Sequence, residues 1–113
     1  MSKAVEHIHS EGKFNEVLST YKDTVLVFDF FATWCGPCKA IEPKINQLAT
    51  RLAAEDARIK FFKINVDELA EVSTKVGVTA MPTFVIYING QKHGGEIIGA
   101  NYEKINTQII TAL

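Results

Sequence analysis

Cys35 and Cys38 are the only cysteines in the chain, and both lie in one run, Trp34-Cys35-Gly36-Pro37-Cys38-Lys39. A stapling disulfide works by closing a long loop of the unfolded chain, and a bridge over two intervening residues closes almost none. A zinc site needs three or four ligands, and beside the pair only His7, His9 and His93 are at hand; no metal site is expected. The remaining chemistry is reversible: a pair made and broken by thiol–disulfide exchange, in which one thiolate attacks and a second thiol releases the product.

Asp29 is the second residue with chemical promise. It sits in the middle of Val25-Leu26-Val27-Phe28-Asp29-Phe30-Phe31, and carboxylates are almost never fully buried unless paired. Taken alone it reads three ways: an acid paired with Lys63, an acid at a solvated edge, or a functional group with a raised pKa. Lys63 reads equally as a surface lysine with its stem along apolar surface. His7 and His9 alternate along a short strand as edge or surface residues, and no chemistry is assigned to the three histidines.

These residues need elements to position them. Val5–His9 reads as a short edge strand. Phe14, Val17, Leu18 and Tyr21 form one apolar helical stripe, with Ser10 placed to cap it. Thr24–Phe31 has the continuous apolar character of a parallel strand buried on both faces. Ile41, Ile45, Leu48 and Leu52 mark a long helix after the cysteines, with Pro43 inside it expected to kink it. Ile59–Val66 is strand-like. Asp67 is placed to cap a short helix carrying Leu69, Val72 and Val76 and ending at Gly77. Thr83–Ile88 is a strand, Asn89-Gly90 a turn, and a strand near Glu96–Ile98 closes a hairpin. Tyr102, Ile105, Ile109 and Leu113 form a last helix capped by Asn101. The order βαβαβαββα implies helices on both faces of a mixed sheet with right-handed crossovers. The cysteines fall just after the second strand, at the carboxyl end, where functional sites of α/β sheets gather.

The chain has 113 residues, enough for one domain (1–113), and is 47% hydrophobic with a net charge of −1. That balance lacks the basic excess needed for nucleic acid or an anionic membrane. No apolar run approaches the roughly 20 residues of a membrane span. The start, Met1-Ser2-Lys3-Ala4-Val5-Glu6-His7, has neither a secretory nor a transit-peptide character. A cytoplasmic protein is expected, where disulfides tend to be transient and catalytic; a mature form with its targeting segment removed would read the same.

The hexapeptide Trp34–Lys39, Asp29 six residues before Cys35, Lys63 on the next strand and Met81-Pro82-Thr83 opening the fourth together resemble the thioredoxin family, over essentially the whole chain. The resemblance implies the thioredoxin fold: α/β, three layers, a central mixed five-stranded sheet and four helices. It implies a protein-disulfide reductase that serves redox homeostasis and electron transport. The enzyme would be recharged by thioredoxin reductase, which alone uses NADPH; no bound cofactor is expected. Clients of the peroxiredoxin, methionine sulfoxide reductase and ribonucleotide reductase types are implied, and the chain is expected to be monomeric. The rival reading is a thioredoxin-fold interaction module whose dithiol is incidental.

By the same resemblance Cys35 attacks and Cys38 resolves. Cys35 would start the long helix, where free N–H groups and the dipole favour a thiolate. Gly36 and Pro37 are the spacer, Trp34 and Lys39 its flanks, and Pro37 lies in a first turn where a missing N–H costs little. Asp29 would take the proton of Cys38, with Lys63 modulating it. The Met81–Pro82 bond would be cis, and Trp34, Met81, Pro82, Gly99 and Ala100, with Pro37, would dock the client, partly by strand addition. Two departures stand out: Phe31 where many thioredoxins have Trp, and an extra residue at Gly94-Gly95 read as a β-bulge; Gly-Pro in place of the Gly-His of disulfide isomerases disfavours oxidative folding.

Overall fold

Val25, Leu26, Val27 and Phe28 send successive side chains to opposite sheet faces, and both faces find apolar partners. The structure, a computed structural model, describes residues 4–113; residues 1–3, which begin the segment read above for a leader, lie outside the described residues. The elements run β1 (Val5–His7), α1 (Glu11–Thr20), β2 (Val25–Phe31), α2 (Gly36–Glu55), β3 (Ile59–Asn65), α3 (Ala70–Val76), β4 (Thr83–Ile88), β5 (Gln91–Lys92), β6 (Ile97–Ile98) and α4 (Tyr102–Ala112). The sheet order is β1-β3-β2-β4-β5, and β6 also pairs with β4. β1, β3 and β2 are parallel; β4 runs antiparallel to β2.

The odd residues of β2 pack against α2 and α4, where Val25 and Val27 meet Ile45, Leu48, Leu52, Ile105 and Ile109. The even residues pack against α1 and α3, where Leu26, Phe28 and Phe30 meet Phe14, Val17, Val72 and Val76. This gives the three layers of the thioredoxin fold. Asp29 is the next odd residue after Val27, so its carboxyl is directed to the α2 side, at the carboxyl end of the strand.

Several local expectations hold. Ser10 caps α1 by accepting from the Lys13 N–H, and Asn101 caps α4 by accepting from the Lys104 N–H, each at 3.1 Å. Asn89 and Gly90 both take positive φ, +51° and +79°, as the tight turn between twisted strands requires. α2 continues as one helix across Pro43, so the lost hydrogen bond does not end it. Leu113, expected on the stripe of α4, lies just past it and is half exposed.

Two expectations need correction. Asp67 does not cap α3: Asn65 Oδ1 accepts the Asp67 N–H at 2.8 Å, the chain makes a further turn, and α3 starts at Ala70 with no side-chain cap. The hairpin after Asn89-Gly90 is closed first by β5, and the edge then breaks before β6. His93 N–H still reaches Ile86 O, while Ile97 pairs with Phe84. Residues 94, 95 and 96 therefore oppose Val85 alone, two extra residues rather than one. Gly94, at φ +74°, makes that bend at low cost. The edge strand is thus one sheet position occupied in two pieces, which leaves five positions across the sheet.

Ser10→Ala should lower stability by about 1 kcal/mol, read as a lower urea midpoint, with Ser10→Asp close to wild type. Equal midpoints for all three would show that this cap does not hold α1.

Candidate active site

β2 ends at Phe31, and within five residues the chain has turned into α2. Ala32, buried beneath the turn, accepts the Cys35 N–H through its carbonyl at 3.2 Å. Cys35 is the N-cap of α2, with extended backbone, and Gly36 and Pro37 are its first two helical residues. An N-cap side chain normally offers oxygen to a free N–H of the first turn. Here sulfur does so: the Cys38 N–H donates to Cys35 Sγ at 3.2 Å. Cys35 and Cys38 are joined as a disulfide with Cα atoms 5.3 Å apart. Both are buried, in a small cluster with Ala32 against which Phe31, Val66 and Met81 pack.

On the inner side of the disulfide lies a cleft of about 440 Å³. Cys38, Asp29, Lys63, Glu42 and Lys39 all contribute to its wall. Asp29 keeps a partial opening to the cleft as a residue, but its Oδ1 is sealed and has no hydrogen-bond partner. Lys63 is its register partner on β3 without forming an ion pair; its Nζ lies 5.7 Å from the centre of the Phe31 ring. Burial pushes the Asp29 carboxyl up to about 7; Lys63 opposes this and Glu42 adds to it. An acid with that pKa holds or yields a proton near neutrality.

The outer side is the exposed surface around Trp34, Gly36 and Pro37. Trp34 is 66% exposed, and its indole N–H donates to Asp67 Oδ2 at 2.9 Å, which is where the misassigned cap residue is used. The Met81–Pro82 peptide is cis. Pro82 O accepts the Gly99 N–H at 2.8 Å, so the loop carrying Gly99 and the exposed Ala100 is tied beside the start of β4. Met81 joins this surface to the sulfur cluster.

The structure therefore gathers Cys35, Cys38 and Met81 in one cluster and Cys38, Asp29, Lys63 and Lys39 around one cleft. Gly99 and Pro82 are brought together by a backbone bond, and Ala100 is joined to them only through its neighbour. Sequence reasoning missed Glu42 and Asp67. Glu42 stands four residues after Cys38, one helical turn on, and that spacing is the signal that could have found it. For Asp67 no local signal exists, because its partner is 33 residues away.

The thioredoxin family model matches residues 5–111. Thioredoxin-1 of Schizosaccharomyces pombe is 43% identical over 105 residues, covering 93% of this chain and 95% of that protein. The crystal structure of thioredoxin NaTrxh from Nicotiana alata is similar with a TM-score of 0.86 and 34% identity, covering 99% of this chain and 95% of that one. A third similar chain, at TM-score 0.81 and 34% identity over 95% of this chain and 94% of its own, comes from a structure on the thiol-resolving mechanism of yeast mitochondrial 1-Cys peroxiredoxin via glutathione and thioredoxin systems.

The raised acid gives a prediction with a definite sign. Between 3.8 and about 7 the native Asp29 keeps a proton that the unfolded chain has lost, so the native state is disfavoured increasingly as pH rises through that window. In the oxidised protein, Asp29→Asn should become more stable than wild type as pH rises from 4 to 7. The difference in stability should grow by on the order of 4 kcal/mol between pH 4 and pH 7 and level off above it. A gap independent of pH would mean that Asp29 titrates normally.

Proposed function

Since this chain belongs to the thioredoxin family, we propose that its two sulfurs divide the work of disulfide reduction. As a thioredoxin-family dithiol–disulfide oxidoreductase the chain cycles between a Cys35–Cys38 disulfide and two thiols. In the reduced state the Cys35 thiolate, favoured by the start of α2, attacks one sulfur of a client disulfide. A mixed disulfide forms and the other client sulfur leaves as a thiolate. Asp29 takes the Cys38 proton, directly or through water, and Cys38 then attacks Cys35 Sγ. The second client sulfur leaves, and the intramolecular disulfide is formed; two electrons have passed to the client. Lys63 and Lys39 flank that proton transfer from the cleft wall.

The observation that carries this reading is the Cys35 sulfur in the N-cap position, with Cys38 behind it facing the cleft of Asp29. The client would lie across Trp34, Gly36 and Pro37, with an extended segment against the Met81 backbone and Pro82, Gly99 and Ala100 at its margin. The partners would be a thioredoxin reductase and disulfide-bearing clients of the peroxiredoxin, methionine sulfoxide reductase and ribonucleotide reductase types. The similar chain from the peroxiredoxin study supports the first of these classes. No nucleotide need be bound by this chain; NADPH would serve the reductase. Among the described residues no helix is long and apolar enough to cross a membrane. We place the protein in the cytoplasm as an electron carrier, one monomeric domain over residues 1–113.

Cys38→Ser should accumulate covalent mixed disulfides with clients, visible on non-reducing gels and released by dithiothreitol. Cys35→Ser should lose insulin-reduction activity to background. Full activity of Cys35→Ser would refute the assignment of the nucleophile. A double Cys→Ser protein that kept its biological function would instead favour the interaction-module reading.

A further inference from the structure

The carboxyl ends of β1 and β3 lie side by side, because the two strands are parallel and in register, with His7 opposite Lys63. At those ends the chain brings two neighbouring histidines to a glutamate about sixty residues away in sequence. His9 Nδ1 lies 3.0 Å and 3.1 Å from the two oxygens of Glu68, and His7 Nε2 lies 3.4 Å from Glu68 Oε1. The two imidazoles are stacked, centroids 3.9 Å apart, and the Phe31 ring packs edge-to-face with His7 at 5.6 Å. One donor atom from each residue falls within 4.8 Å of the others.

We propose that His7, His9 and Glu68 form a binding site for a divalent transition ion of the zinc class. Two imidazoles and a carboxylate are a preferred donor set for such ions, and three protein ligands leave an open position for water. Bonds of about 2.0–2.2 Å in a tetrahedral site put ligand atoms roughly 3.3–3.5 Å apart. The two contacts with Glu68 are already near that spacing, and the stacked rings would open so that both nitrogens aim at one ion. A second observation points the same way. His7 Nε2 is sealed from solvent and has no hydrogen-bond partner, its approach to Glu68 being misaligned for one. A buried nitrogen left unpaired is free to act as a ligand, and this one lies 3.4 Å from the carboxylate that His9 also faces. Lys63 is the nearby charge that opposes a cation, while Asp67, the next acid along, is engaged by Trp34. The sequence reading of His7 and His9 as plain edge residues did not foresee this, because Glu68 joins them only through the parallel pairing of β1 with β3.

The test is calorimetric titration of the oxidised protein with zinc chloride, so that the cysteines, held as a disulfide, cannot supply ligands. Saturable binding of one ion per chain is expected. His9→Gln and Glu68→Gln, both at exposed positions, should each weaken it at least about tenfold, while His93→Gln should bind as wild type. Absence of saturable binding by the wild type up to about 1 mM zinc, undiminished binding by both ligand variants, or loss of binding in His93→Gln would overturn the proposal.

Discussion

At the start of α2 a backbone N–H, that of Cys38, donates to the sulfur of Cys35 at 3.2 Å, and the candidate chemistry is arranged around that bond. It places one sulfur where helix geometry provides unpaired donors and the positive end of the dipole. A charge so placed is stabilised by about 0.3–1 kcal/mol, more when partly buried. The bond exists only if the helix begins at Gly36, and the helix begins there because β2 must end at Phe31. Ala32, buried under the turn, and Pro37, which has no N–H to leave unsatisfied, let the chain reverse within a few residues. The same turn holds Cys38 on the inner side of the helix, so the two sulfurs differ in surroundings although they differ little in exposure.

Asp29 imposes the opposing demand. Keeping a carboxyl oxygen sealed in the cleft wall disfavours the folded state by on the order of 4 kcal/mol once it is ionised. The strand that carries it supplies the offset. Leu26, Val27, Phe28 and Phe30 are all fully buried, and each contributes roughly 2 kcal/mol relative to exposure. The cost of one buried acid is therefore sustained by its immediate neighbours. The result is a carboxyl raised to about 7 within the wall shared with Cys38.

Much of this was legible because it is local. The 3.6-residue stripes, the caps at Ser10 and Asn101, the Asn89-Gly90 turn and an acid six residues before a cysteine pair all depend on near neighbours, and they fall where the spacing puts them. What was misread is what tertiary contacts decide. Asp67 has a good cap residue's chemistry, yet Asn65 takes up its backbone and Trp34 its carboxylate. The extra residues at Gly94-Gly95 were visible, but that they number two follows only from the register on either side of Val85. The His7–His9–Glu68 group depends on which strand ends meet, and composition carries no trace of that.

The central claim is that helix position, not accessibility, makes Cys35 the attacking thiol. In the disulfide form Cys35 and Cys38 are 4% and 6% exposed, so burial there does not tell them apart. The most direct measurement is brief alkylation of the fully reduced protein with limiting iodoacetamide at neutral pH, with the labelled residue assigned by fragmentation in a mass spectrometer. The account predicts label on Cys35 with Cys38 left almost unmodified. Equal labelling of the two, or preference for Cys38, would contradict it.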